Sequence, residues 1–130
     1  MTNLILLDSH VVIWAMEGSP RLGKRARELI GSGAEVHVSA VSILELTIKA
    51  MSGKIAIPEK LVSRLLDQGL SLLNLTPDHI EGLRDFPELS GHDPFDRALV
   101  TQASRTGMRF LTADGALLDL ERDFIVDATA

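Results

Sequence analysis

A chain of 130 residues fits a single domain, spanning 1–130, that buries roughly two thirds of its unfolded surface in one core. Its lack of cysteine excludes disulfides and thiolate metal centres, and no apolar run approaches the ~20 residues of a membrane span. Thirteen Lys plus Arg against eighteen Asp plus Glu leave a net charge of −5, which argues against a general nucleic-acid coat protein.

The N-terminal Met1-Thr2-Asn3 lacks the basic flank of a signal peptide, so a cytoplasmic protein is expected. Leu4 to Leu7 is a continuous aliphatic run, the pattern of a strand buried on both faces, and it stops at Asp8. A short helix is predicted over His10 to Glu17, and Ser19-Pro20 signals a second over Pro20 to Ile30, closed by Gly31 and Gly33. Val36 to Val38 is a brief strand. Ser39 to Met51 reads as a helix apolar on most sides, with Glu45 and Lys49 one turn apart.

Pro58 to Gln68 reads as a helix, Leu70 to Leu75 as a strand, and Thr76-Pro77 as the cap of a short helix. Asp85 to Gly91 is a loop by its Pro87, Ser90 and Gly91. Asp93-Pro94 caps a helix that runs to Thr106 and ends at Gly107. Arg109 to Leu111 then forms a strand that stops before Asp114, and Phe124 to Val126 forms the last. Strands separated by helices imply an α/β fold with a mainly parallel sheet covered on both faces.

In such sheets ligands sit outside the carboxyl ends of the strands. Asp8 and Asp114 follow strands and Asp96 opens a helix, so the three can line one rim, which Glu45 joins if its helix packs beside it. Carboxylates gathered without basic partners repel each other and are stabilised by a divalent cation, and an oxygen donor set suits Mg²⁺ or Mn²⁺. Each acid also has a plainer reading. Asp8 and Asp93 are cap residues, Asp114-Gly115 is a turn dipeptide, and Ser42-x-x-Glu45 has the form of a capping box with Val41 and Leu46 as a hydrophobic staple. Lys49 and Arg97 suit phosphate contact, or intrahelical pairing with Glu45 and Asp93. His10 and His92 stand beside acids, His37 and His79 have no chemical neighbour in sequence, and Trp14 reads as core in preference to a base-stacking platform.

Leu6-Leu7-Asp8-Ser9-His10, Ser39 to Lys49, His92 to Arg97 with Gln102-Ala103, and Leu111-Thr112-Ala113-Asp114 together resemble the PIN-domain proteins, in particular the VapC-like toxins of type II toxin–antitoxin pairs. The resemblance covers essentially the whole chain. It implies a three-layer PIN-like fold with Asp8, Glu45, Asp96 and Asp114 as the catalytic and metal-holding acids. Asp96 fills the third place, not Asp93, because the family pattern continues from its acid into an apolar helix ending in a small residue. The resemblance further implies a Mg²⁺-dependent endoribonuclease acting on structured RNA, a cognate VapB-like antitoxin, and a homodimer. Ser9 stands where threonine is usual and Thr101 where alanine is usual.

Three other readings differ in chemistry. A histidine acid–base ribonuclease would run through His10 or His92 without metal. Phosphoryl transfer through an aspartate is disfavoured, because a single acid follows the first strand, His10 stands where a phosphatase needs Asp, and no Lys follows the late strands. A PIN-like module that only binds RNA or a partner gains nothing from holding four like charges together.

Overall fold

A computed structural model describes residues 3–130, and Met1 and Thr2 lie outside the described residues. Five parallel strands form one sheet: β1 (Leu4–Leu7), β2 (Glu35–Ser39), β3 (Ser71–Leu73), β4 (Arg109–Thr112) and β5 (Ile125–Asp127), in the order β3-β2-β1-β4-β5. The crossovers are α1 (Ser9–Glu17), α2 (Lys24–Gly31), α3 (Ala40–Met51), α4 (Leu61–Asp67), α5 (Pro77–Glu81), α6 (Pro94–Thr106) and α7 (Gly115–Leu118), with 3₁₀ turns at Gly82–Asp85 and Pro87–Leu89.

The period of two along each strand divides the interior into two cores. Ile5 and Leu7 of β1, Val36 and Val38 of β2 and Leu111 of β4 face Val11, Val12, Ala26, Leu46 and Leu65 on one side. Leu6 and Phe110 face Leu99, Val100, Ala103 and Leu117 on the other. Ile5, Leu6 and Leu7 are all fully buried, which explains why β1 lacks polar alternation. Both faces of the sheet are covered, as a three-layer α/β fold requires.

Strand order follows sequence from β1 through β2 to β3 on one side, then jumps across to β4 and β5 on the other. The reversal falls between β1 and β4. Leu7 pairs with Leu111, and the Asp8 amide continues the ladder into the Leu111 carbonyl at 2.9 Å. Crevices open at such a switch point because the flanking crossovers depart to opposite faces.

Three predicted boundaries move, each for a tertiary reason. The helix expected from Pro20 begins at Lys24, since Ser19-Pro20 opens a turn in which the Leu22 amide bonds the Ser19 carbonyl at 3.2 Å. The α2 amides are capped instead by carbonyls of residues 128–130: Gly23 donates to Ala128 (2.9 Å) and Arg25 to Ala130 (3.0 Å). The helix expected from Pro58 begins at Leu61, because Lys60 has φ −105° and ψ 54°, outside the helical region. The strand expected to reach Leu75 ends at Leu73, opposite Ser39, where β2 itself turns into α3.

Candidate active site

Asp8, Glu45, Asp96 and Asp114 line one cleft of about 460 Å³ at the switch point, together with His10, Trp14, Arg21, Lys49 and Asp93. All four acids singled out in the sequence are therefore brought together. Asp8 is 4 % exposed and Glu45 5 %, which puts two carboxylates inside the protein at the base of the cleft.

Asp8 is both the end of β1 and the N-cap of α1, and both of its oxygens are engaged. Oδ1 accepts from the Ser9 amide (2.7 Å) and Oδ2 from the Thr112 hydroxyl (2.6 Å). Burial pushes the carboxyl above its ordinary value, against the pull of these two hydrogen bonds, while the Glu45 charge adds to the rise. Thr112 is thus a supporting residue to which the sequence reading assigned no part. It stands one residue past Leu111 in β4, directly across from Asp8, and the parity of the two strands was the available signal.

Glu45 answers a question that its spacing left even. The cap of α3 is Ser39, whose hydroxyl accepts from the Val41 amide (3.0 Å), so Ser42 and Glu45 form no capping box. They sit a turn inside the helix, where Ser9 Oγ donates to Glu45 Oε1 (2.7 Å) and lies 3.1 Å from the Ser42 hydroxyl. Lys49 Nζ reaches Glu45 Oε2 at 2.6 Å, and this bond holds its ammonium above the ordinary value. Ser9 therefore uses the hydroxyl that it shares with threonine.

Asp93 caps α6, accepting from the amides of Phe95 (2.8 Å) and Asp96 (3.2 Å). Asp96, left free by that cap, turns into the cleft. Burial first, and then the charges of Asp8, Asp93, Asp114 and Glu45, push its carboxyl up to about 7. Asp114 caps α7, accepting from the Ala116 amide (2.9 Å). His92 Nε2 lies 3.4 Å from Asp96 Oδ2 and 3.6 Å from Asp114 Oδ2, and one donor atom from each of the three falls within 4.8 Å of the others.

Arg97 departs from its expected place. It donates to the Ser90 carbonyl (3.4 Å), does not pair with Asp93, and is not among the residues lining the cleft. Arg97 thus braces the loop before α6. His79 has the neighbours that its sequence position lacked: its Nδ1 accepts from the Thr76 amide and lies 3.3 Å from Gln102 Nε2. Thr101 packs beneath Gly82, with its methyl 2.7 Å from where a Cβ on that glycine would stand. His37 is interior to β2, and both ring nitrogens are buried without partners.

The donor set fits a divalent cation. Five carboxylates, Asp8, Glu45, Asp93, Asp96 and Asp114, line the cleft with His10, Lys49 is paired with Glu45, and burial together with the neighbouring like charges raises the Asp96 carboxyl. Replacing Thr112 with Val keeps the shape and removes a donor to ionised Asp8. The expected cost is about 1–3 kcal/mol in thermal denaturation at pH 7, shrinking at pH 4 as Asp8 takes up a proton. An equal loss at both pH values would refute an electrostatic role for that hydroxyl.

A family model described as the PIN domain matches residues 5–123. Ribonuclease VapC22 of Mycobacterium tuberculosis is 30% identical over 115 residues, covering 87% of this chain and 88% of that one. Among solved structures, VapBC2 of Rickettsia felis bound to a promoter DNA fragment superposes with a TM-score of 0.65 at 13% identity, over 91% of this chain and 93% of the other. A toxin–antitoxin complex from Klebsiella pneumoniae gives 0.64 at 12% identity, covering 95% and 97%. DNA-bound VapBC from Salmonella typhimurium gives 0.63 at 20% identity, covering 94% and 92%. At these identities the structural matches speak for the fold.

Proposed function

Because the chain belongs to the PIN-domain family, we propose that it is a Mg²⁺-dependent endoribonuclease that cuts structured RNA, the toxin of a type II toxin–antitoxin pair. The observation that carries the reading is the convergence of Asp8, Glu45, Asp96 and Asp114 on the switch-point cleft, with Asp96 raised to about 7 by burial and, after that, by its like-charged neighbours. These four residues would hold Mg²⁺, or Mn²⁺ in its place. When bound, the ion lowers the pKa of a coordinated water and offsets charge on the phosphodiester.

The chain's own part is positioning. Thr112 and the Ser9 amide fix both oxygens of Asp8, so that carboxylate keeps one orientation. Ser9 and Lys49 do the same for Glu45, and the Lys49 ammonium, half-buried at the cleft wall, is placed to meet a phosphate. The cap on α6 frees Asp96 to point inward. Arg97, turned toward Ser90, serves the substrate at most through the loop it braces.

The partner reading rests on a surface. Leu44, Ile48 and Met51 of α3 are exposed, Met51 by 84%, and a groove between α3 and α4 continues past Ile57 and Val62. An apolar surface of this extent suits a protein partner, and the solved neighbours are toxin–antitoxin complexes. A VapB-like antitoxin and a second copy of the chain are the partners proposed. No helix among the described residues is long and apolar enough to cross a membrane, and we place this single PIN-like domain, 1–130, in the cytoplasm.

Purified protein incubated with total cellular RNA in Mg²⁺ or Mn²⁺ is expected to give discrete fragments, and EDTA to abolish them. Cleavage that persists in EDTA would overturn the metal mechanism in favour of His10 or His92 as acid and base. No cleavage by folded protein that binds Mn²⁺ would favour a module that only binds.

A further inference from the structure

The cleft has a second wall that the carboxylates leave unused. His10 and Trp14 stand four residues apart on α1 and so occupy one face of it, one turn apart. The deep face of the same helix is spent on Val11 and Val12, both buried. Trp14 divides its indole between two environments, packing against the aliphatic core and lining the cleft. Arg21, exposed in the turn after α1, stands on the same lining, and Lys49 completes it.

Trp14 is half-buried, and the part of its indole that lines the cleft stands beside the acids. An aromatic face flanked by cations is the chemistry that receives unpaired nucleotides, the ring taking the base and the cations its phosphates. Building on the ribonuclease reading, we propose that Trp14 stacks an unpaired base of the RNA next to the scissile phosphate, while Arg21 contacts the backbone of that nucleotide. The stack would set which nucleotide is presented to the acids, and so where the strand is cut.

Trp14 is the chain's single tryptophan, so its fluorescence reports on this wall alone. Asp96→Asn protein, which would bind without cutting, is titrated in Mg²⁺ with a single-stranded oligoadenylate hexamer carrying a 5′ dye, with binding followed independently by dye anisotropy. Saturable quenching of the indole is expected at the concentrations that raise the anisotropy. A hexamer with abasic sites should bind more weakly and without quenching. Trp14→Ala should weaken binding about 5- to 100-fold and raise KM more than it lowers kcat, and Trp14→Phe should restore most of the loss.

Binding without a change in fluorescence, or equal affinities for Trp14→Ala, Trp14→Phe and the parent, would overturn the stacking role. Absence of any rise in anisotropy would overturn it as well. The fluorescence and anisotropy readings, unlike KM and kcat, do not depend on turnover. Failure of the ribonuclease reading would appear separately, as uncut RNA in Mg²⁺ with the unsubstituted protein.

Discussion

Asp96→Asn is expected to cut RNA cleavage by on the order of 10²–10³-fold while making the metal-free protein more stable. The two effects share one cause. The Asp96 carboxyl is raised from 3.8 to about 7, so between those values the folded protein holds a proton that the unfolded chain has released. Stability of the metal-free protein therefore falls as pH rises through this window, and the penalty is complete above it. Asn carries no such penalty. Since Asp96 is only half-buried and partly screened, the gain at pH 8 is about 1–2 kcal/mol, vanishing near pH 4. Thermal denaturation in EDTA across this pH range measures it. Added Mg²⁺ should stabilise the parent strongly and the variant little. A variant less stable than its parent at pH 8 would mean that the acids are not in mutual repulsion.

Gly23→Ala is expected to destabilise by about 3 kcal/mol, although position 23 lies outside the cleft lining. A Cβ there would stand 2.0 Å from the Ala130 carbonyl oxygen and 2.4 Å from the Thr129 carbonyl carbon, both backbone atoms with little freedom to yield. If α2 shifts off the sheet, the amides of Gly23 and Arg25 lose their carbonyl partners, and if residues 129–130 detach, the amides of Arg25 and Ala26 lose the Ala130 carbonyl. Gly31→Ala is the control, with nothing within 4 Å of the added carbon, and helix propensity makes it neutral to stabilising by up to about 1 kcal/mol. Thermal denaturation of the two variants should differ by at least 10 °C, roughly, for a domain of this size. Similar midpoints would show that the C-terminal residues do not hold α2.

Most elements were legible because their signals are local. The aliphatic run ending at Asp8, the Asp93-Pro94 start of α6 and the Thr76-Pro77 start of α5 all stand where expected. Ser19-Pro20 misled because the same signal also opens a turn, and what caps α2 arrives about a hundred residues later. Glu45 could not be settled from its helix, since a capping box and an inward-facing acid read alike until Ser39 takes the cap. Strand order was out of reach for the same reason: periodicity shows which face of β1 is buried and is silent on which strands stand beside it. Thr112 and Arg21 acquired roles only once β4 lay against β1 and the turn after α1 folded over the cleft.

The central place of β1 also orders the site in time. Its first carboxylate is anchored by a hydroxyl 104 positions further along, and the last acid follows two residues after that hydroxyl. At the 5–20 residues per second or so of protein synthesis, Asp8 leaves the ribosome's peptidyl-transferase centre about 5–20 s before Asp114 is added. No nascent chain that stops before Asp114 contains the full carboxylate set, so the cleft cannot be completed until β4 has been made.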